Sequence, residues 1–194
     1  APTSAPTSAP STGSSPSTTQ SISLNRGWTW LSFNVVPTDW SVNAVMQLSS
    51  LQGADQVKNQ FEFAEYYDGF GFYGTLSSMS ADVMFAVKTA SEATLTVTGA
   101  PVALPKSVTL YRGWTWVPCP YQTAVQLADA LTFESSAGTS LYAAGDQFKS
   151  QFEFAEFCNG HRDPNTPPCC RTPTHPHSLS LFTSLSPNAF CDAL

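Results

Sequence analysis

The sequence is short of charge. Lys, Arg, Asp and Glu together supply 11% of the 194 residues, where soluble domains carry about 25%. The eight basic residues are scattered singly along a chain of net charge −6. Without a clustered basic footprint there is nothing to neutralise a phosphate backbone, so no nucleic-acid partner is expected. No apolar run reaches the length of a bilayer-spanning helix, and no membrane insertion is expected. The chain opens on Ala1 without a charged-then-apolar leader, so any export signal is expected upstream. Sequons of the form N-x-Ser/Thr are absent, and N-glycosylation gives no guide to compartment.

Other absences narrow the chemistry. The three histidines, His161, His175 and His177, all lie beyond residue 160. The rest of the chain therefore has no histidine to pair with its many serines, and no nucleophile elbow occurs. There is no Walker loop and no strand–glycine-loop–helix fingerprint of a dinucleotide site. The first half holds no cysteine, so its fold does not rest on disulfides. The five present are Cys119, Cys158, Cys169, Cys170 and Cys191. An odd number with two adjacent does not read as an ordered framework.

What is present is aromatic and low in complexity. Residues 1–20 read APTSAPTSAPSTGSSPSTTQ, uncharged and with almost nothing to bury. This is expected to be a disordered linker or O-glycosylated stalk joining covalently linked neighbouring domains. After it comes an internal repeat. SISLNRGWTWLSFNVVP from Ser21 is answered by SVTLYRGWTWVPCPY from Ser107, with Trp28 and Trp114 86 residues apart. DQVKNQFEFAEYYDG from Asp55 is answered by DQFKSQFEFAEFCNG from Asp146, at an offset of 91. Two matched blocks in one order mean duplication.

The repeat reads as mostly β. From Ser21 to Val36, alternation places Leu31, Phe33 and Val35 on one face and Trp28, Trp30, Ser32 and Asn34 on the other. Gly27 marks a bulge or turn. Pro118 and Pro120 demote the corresponding stretch of the second copy to an edge or strand end. The spacing of Trp40, Ala44, Val45, Leu48 and Leu51 predicts a short helix, capped by Thr38 or Asp39 and ended by Gly53. Ala124, Leu127, Ala128 and Leu131 predict its counterpart. Strands follow at 61–67 and 70–76 around an Asp68-Gly69 hairpin turn, then at 84–87 and 94–98. The expected fold class is mostly β (α+β): tandem small antiparallel β modules, each with one short helix. The complete repeat spans 21–105 and a partial second repeat 106–157. From residue 158 the copies part, and the Pro/Cys/His-rich stretch 158–194 is expected to lie outside the fold, the product of a changed frame or splice pattern.

Polar clusters suggest little catalysis. Glu62 and Glu65, echoed by Glu153 and Glu156, resemble a glycosidase acid pair in type only. Three apart on a strand, they point to opposite faces and do not converge. Cys158, His161, Cys169, Cys170, His175 and His177 include zinc-ligand types but lack CxxC spacing. Asp55 and Asp146 lack the alternating acids of a calcium loop and are expected to form turns. Neither catalytic residue, metal nor cofactor is expected. The aromatics remain. Trp28, Trp30, Tyr66, Tyr67, Phe70, Phe72 and Tyr73 are the candidate ligand-binding set, able to stack on sugar rings. The competing reading places both tryptophans in the core.

The RGWTW block, with the stretch QFEFAEYYDGFGFYGTL from Gln60, resembles a Trp-rich (GWxW) tandem repeat of predicted secreted and cell-surface proteins of marine algae and bacteria. The resemblance covers Ser21 to about Pro101, and part of Ser107–Phe157. Members often carry G-W-Y/F-G where this chain has Gly71-Phe72-Tyr73-Gly74. They often carry Pro-Gly-x-Gly-Tyr where it has Ala81-Asp82-Val83-Met84-Phe85. The resemblance implies an extracellular setting beside other domains and carries over no catalytic residue. The expectation is a secreted or cell-surface, non-catalytic module for adhesion or binding to polysaccharide or cell-surface glycan. The alternatives are an accessory module of a secreted hydrolase and a purely structural spacer.

Overall fold

The computed structural model describes residues 16–125, 130, 145–152 and 154–156, the last three by backbone alone. The chain is mostly β. In order it forms β1 (Thr18–Leu24), β2 (Gly27–Leu31), β3 (Val35–Val36), a single turn of helix α1 (Val42–Val45), β4 (Gln56–Lys58), β5 (Phe63–Tyr67) and β6 (Gly71–Gly74). β7 (Phe85–Thr89) and β8 (Ala93–Pro101) follow, then β9 (Gln147–Lys149) and β10 (Phe154–Glu156). β1 begins at Thr18, inside the segment expected to be linker, and Thr18 pairs with Gly99.

Two antiparallel sheets share one core. The first has the order β1-β8-β3 and the second β2-β7-β4-β5-β6. β8 serves two partners: Ala93–Gly99 pairs with β1, and Ala100 and Pro101 pair with β3. The hand-over brings two main chains into contact, and a Cβ on Gly99 would lie 2.1 Å from the Val36 carbonyl oxygen. No residue but glycine fits there.

The strands form because apolar residues recur at every second position and bury one face. Leu24, Leu95 and Val97 of the smaller sheet meet Leu31, Phe85, Val87, Val57, Ala64 and Phe72 of the larger. Phe33 sits among them, its ring 5.5 Å from Trp40 and 5.9 Å from Phe85. Leu31, Phe33 and Val35 are buried together, as their alternation requires. Every fully buried member of this cluster lies between Leu24 and Val102.

The expected helix shrinks to four residues. Val42, Val45 and Met46 are buried by one turn, and Leu48 and Leu51 reach the core from irregular chain. Within the turn itself Val42, Asn43 and Val45 are weak helix formers, a Ser49-Ser50 pair follows, and one turn cannot propagate. Ser41 gives the helix no side-chain cap. Asp39 instead accepts the Ser41 amide at 2.7 Å, an Asx turn that orients the entry. Of the helix expected over 124–131, Ala124 and Val125 are in no helix, and apart from Ala130 the rest lies outside the described residues. No helix among the described residues is long and apolar enough to cross a membrane.

Local geometry recurs at the matched blocks. Gly27 and Gly113 share φ +94°, the positive region that glycine tolerates. After each, a threonine hydroxyl accepts an amide four residues back, Asn25 to Thr29 and Tyr111 to Thr115, both at 2.9 Å. β9 pairs with β10 in the register of β4 with β5: Gln147 faces Glu156 as Gln56 faces Glu65. Pro118 and Pro120 lie in no strand. Burial differs between the blocks, with Leu24 1% exposed and its counterpart Leu110 47%.

Candidate functional site

The five-stranded sheet has a second face, turned away from the core. Cross-strand partners share a face, so the registers define two rows. One runs Trp28, Lys88, Gln56, Glu65, Tyr73 across all five strands. The next runs Trp30, Ala86, Lys58, Phe63. Tyr67 stands one step beyond Glu65 on the same side, its ring 6.2 Å from Tyr73 in an edge-on contact. From Trp28 to Tyr73 is four strand spacings, roughly 19 Å.

This face is aromatic, open and polar at its centre. Phe63, Tyr67 and Tyr73 are 53%, 50% and 58% exposed, unusual for large rings on a sheet. Between them and Trp28 the Gln56 amide donates to the Glu65 carboxylate at 2.9 Å, which holds both groups in place. Lys58 lies 4.3 Å from the Trp28 ring centroid, a cation–π contact. Lys88 is exposed beside it.

The seven expected aromatics divide. Trp28, Tyr67 and Tyr73 lie on the outer face, and Phe70 is exposed in the β5–β6 turn. Tyr66 and Phe72 face each other on the inner side, rings 5.3 Å apart, with Phe72 buried in the core. Trp30 shares the outer face but is covered: its ring stacks on Trp116 at 6.3 Å and 26°. Neither tryptophan belongs to the main core. Phe63, Gln56 and Lys88 complete the face and were not foreseen, and Glu65, weighed in the sequence only as half of an acid pair, joins them. The alternation Phe61-Phe63-Glu65-Tyr67 held the signal, lacking only knowledge of which side is buried.

Trp30 is covered by the second block, through contacts that answer one another. The Gln151 side chain accepts the Trp30 amide at 2.9 Å and donates to the Trp28 carbonyl at 2.7 Å. The Gln60 side chain accepts the Trp116 amide at 3.0 Å and donates to the Trp114 carbonyl at 2.8 Å. Each carboxamide behaves as one peptide unit laid against main chain, the edge of β2 for Gln151 and chain outside any strand for Gln60. β2 is the edge of its sheet, so this amide supplies a partner its main chain lacks. Gln20 does the same inside the first block, joining the Ser32 carbonyl and the Asn34 amide. Lys149 sits over Trp114 at 5.4 Å, as Lys58 sits over Trp28. Met84 and Cys119 are buried between the blocks, packed by Trp30, Trp116, Tyr121, Ala130 and Phe148. Ser32 exchanges hydrogen bonds with the Cys119 main chain, and Asn34 donates to the Tyr121 carbonyl at 3.0 Å. Cys119, the one cysteine among the described residues, is in a disulfide.

The remaining candidates are structural in position. Glu62 accepts the Asn59 amide group at 3.1 Å in the turn before β5, while Glu65 bonds Gln56 on the sheet. They do not converge. Asp55 is buried in a turn, accepting two main-chain amides. Residues 69–74 spell G-x-G-x-x-G, but the run forms a β-hairpin with no helix after it, so it builds no phosphate cradle. No cluster of three metal-ligand side chains occurs among the described residues. Glu153 and the Cys and His residues from 158 onward lie outside them. A polar cleft of about 320 Å³ runs beside β1 between Gln20, Ser32, Asn34 and Gln122.

No protein-family model, curated protein or solved structure matches the chain.

Proposed function

We propose that the chain is a non-catalytic, extracellular binding module, a tandem of small antiparallel β units with the second incomplete, whose outer sheet face binds polysaccharide. The carrying observation is that Phe63, Tyr67 and Tyr73 stay about half exposed beside the hydrogen-bonded Gln56–Glu65 pair. Flat rings stack on the apolar faces of sugars, and the amide, carboxylate and Lys88 ammonium offer partners for their hydroxyls. The roughly 19 Å from Trp28 to Tyr73 suits an extended polymer better than a single sugar. Low charge and the Ser/Thr/Pro segment 1–20 support a secreted or cell-surface setting, as does the resemblance to surface repeats.

Affinity electrophoresis against a panel of soluble polysaccharides tests this. Tyr67→Ala combined with Tyr73→Ala is expected to weaken retention about tenfold or more. Thr96→Ala, exposed on the other sheet, leaves it unchanged. No retention by any glycan, or retention indifferent to the tyrosine changes, rejects the proposal.

A further inference from the structure

We propose that the contact between the two blocks is a self-complementary docking surface, and that the first repeat, residues 16–105, pairs with a second copy of itself through it.

The contact is reciprocal. Gln60 and Gln151 occupy the same place in the matched blocks, as do Trp28 and Trp114, and Trp30 and Trp116. Gln151 grips Trp28 and Trp30 of the first block, and Gln60 grips Trp114 and Trp116 of the second. Residue i meets j′ while j meets i′, which defines an isologous contact. Equivalent rings, Trp30 and Trp116, stack where a two-fold axis would pass. The first repeat contains every residue this arrangement needs: Gln60 to reach out, and the Trp28–Trp30 edge to be gripped.

The surface also needs a cover. Without the second block, β2 presents unpaired main-chain groups, and Met84 and Trp30 lose the apolar side chains packed on them. A second first-repeat covers both with the same chemistry. The Ser32 and Asn34 contacts are one-sided within the chain, since Pro118 and Pro120 stand at the equivalent positions. In a symmetric pair Ser32 and Asn34 are available on both sides. Nothing in the first repeat depends on the second for its core, whose buried members all lie between Leu24 and Val102 with no cysteine among them. Within the whole chain the surface is already occupied, so whole chains do not pair through it.

Sedimentation of residues 16–105 over a wide concentration range, alongside the whole chain, decides the matter. The fragment is expected to be folded by circular dichroism and to dimerise reversibly, while the whole chain stays monomeric. Gln60 is exposed, so Gln60→Ala leaves the spectrum intact. It removes the clasp from both sides at once, raising the dimer dissociation constant at least about tenfold. A fragment that is unfolded, or monomeric throughout, overturns the proposal. So does a dimer indifferent to Gln60→Ala, or a whole chain that associates as strongly as the fragment.

Discussion

Replacing Asp55 by alanine removes the side-chain acceptors of two main-chain amides at once. The residue is 3% exposed, and its carboxylate accepts the Gln52 amide at 2.9 Å and the Ala90 amide at 2.8 Å. Its carbonyl accepts the Tyr66 amide at 2.8 Å. One residue thus ties the loop before β4 to β5 and to the turn after β7. Hydrogen bonds to a charged group contribute about 1.5–3 kcal/mol each. Gln52 and Ala90 are exposed residues, so water replaces part of what is lost. The expected cost of Asp55→Ala is therefore about 3 kcal/mol, at the low end of the two-bond sum. In a domain of roughly 60–100 residues each kcal/mol moves the midpoint by about 4–8 °C, so a fall of about 12–24 °C follows. Thermal melts read by tryptophan fluorescence, with urea titration for the free energy, measure it. Asp55→Asn keeps one acceptor and the shape, and is expected to cost about half as much. A loss below about 1 kcal/mol, or one matched by Asp68→Ala in the exposed hairpin turn, refutes the reasoning.

Gly99→Ala places a Cβ 2.1 Å from the Val36 carbonyl oxygen, and both strands must shift. It is expected to cost about 3 kcal/mol or more in urea titration, and a neutral result contradicts the close approach of β3 and β8. Phe61→Ser, at a side chain 81% exposed, should change stability by less than about 0.5 kcal/mol in the same assay. The Asp39 carboxyl is held below its ordinary value of 3.8, first by the Ser41 main-chain amide and then by the Ser41 side chain. A depressed folded-state value means the Asx turn favours folding above pH 3.8, an advantage lost as pH falls through the lower folded value. NMR titration of this carboxyl with a midpoint at or above 3.8 would contradict it.

Much of the first repeat was legible because strand alternation is a local signal. Leu31, Phe33 and Val35 announce a buried face by spacing alone, and Asp68-Gly69 turns the chain where it should. The helix was overread because Trp40, Leu48 and Leu51 can reach a core from irregular chain as readily as from one helical face. The site was half legible. Tyr66 and Tyr67 are neighbours, so one had to face the core. Which one depends on the burial of Ala64, and that depends on β4, six or more residues away in sequence. The clasp was visible only as two glutamines in matching places. Nothing local to Gln60 tells which edge it reaches, because its partners lie 54 and 56 residues on.

The carboxamide at the edge of β2 differs from a neighbouring strand in one respect: it brings no further rung behind it. A strand laid on an edge leaves a fresh edge, ready for another, and that is how fibrils lengthen. Gln151 fills one donor and one acceptor and adds no strand of its own there. For a sequence crowded with rings and β-branched residues, lateral growth is stopped by a stub that cannot be copied.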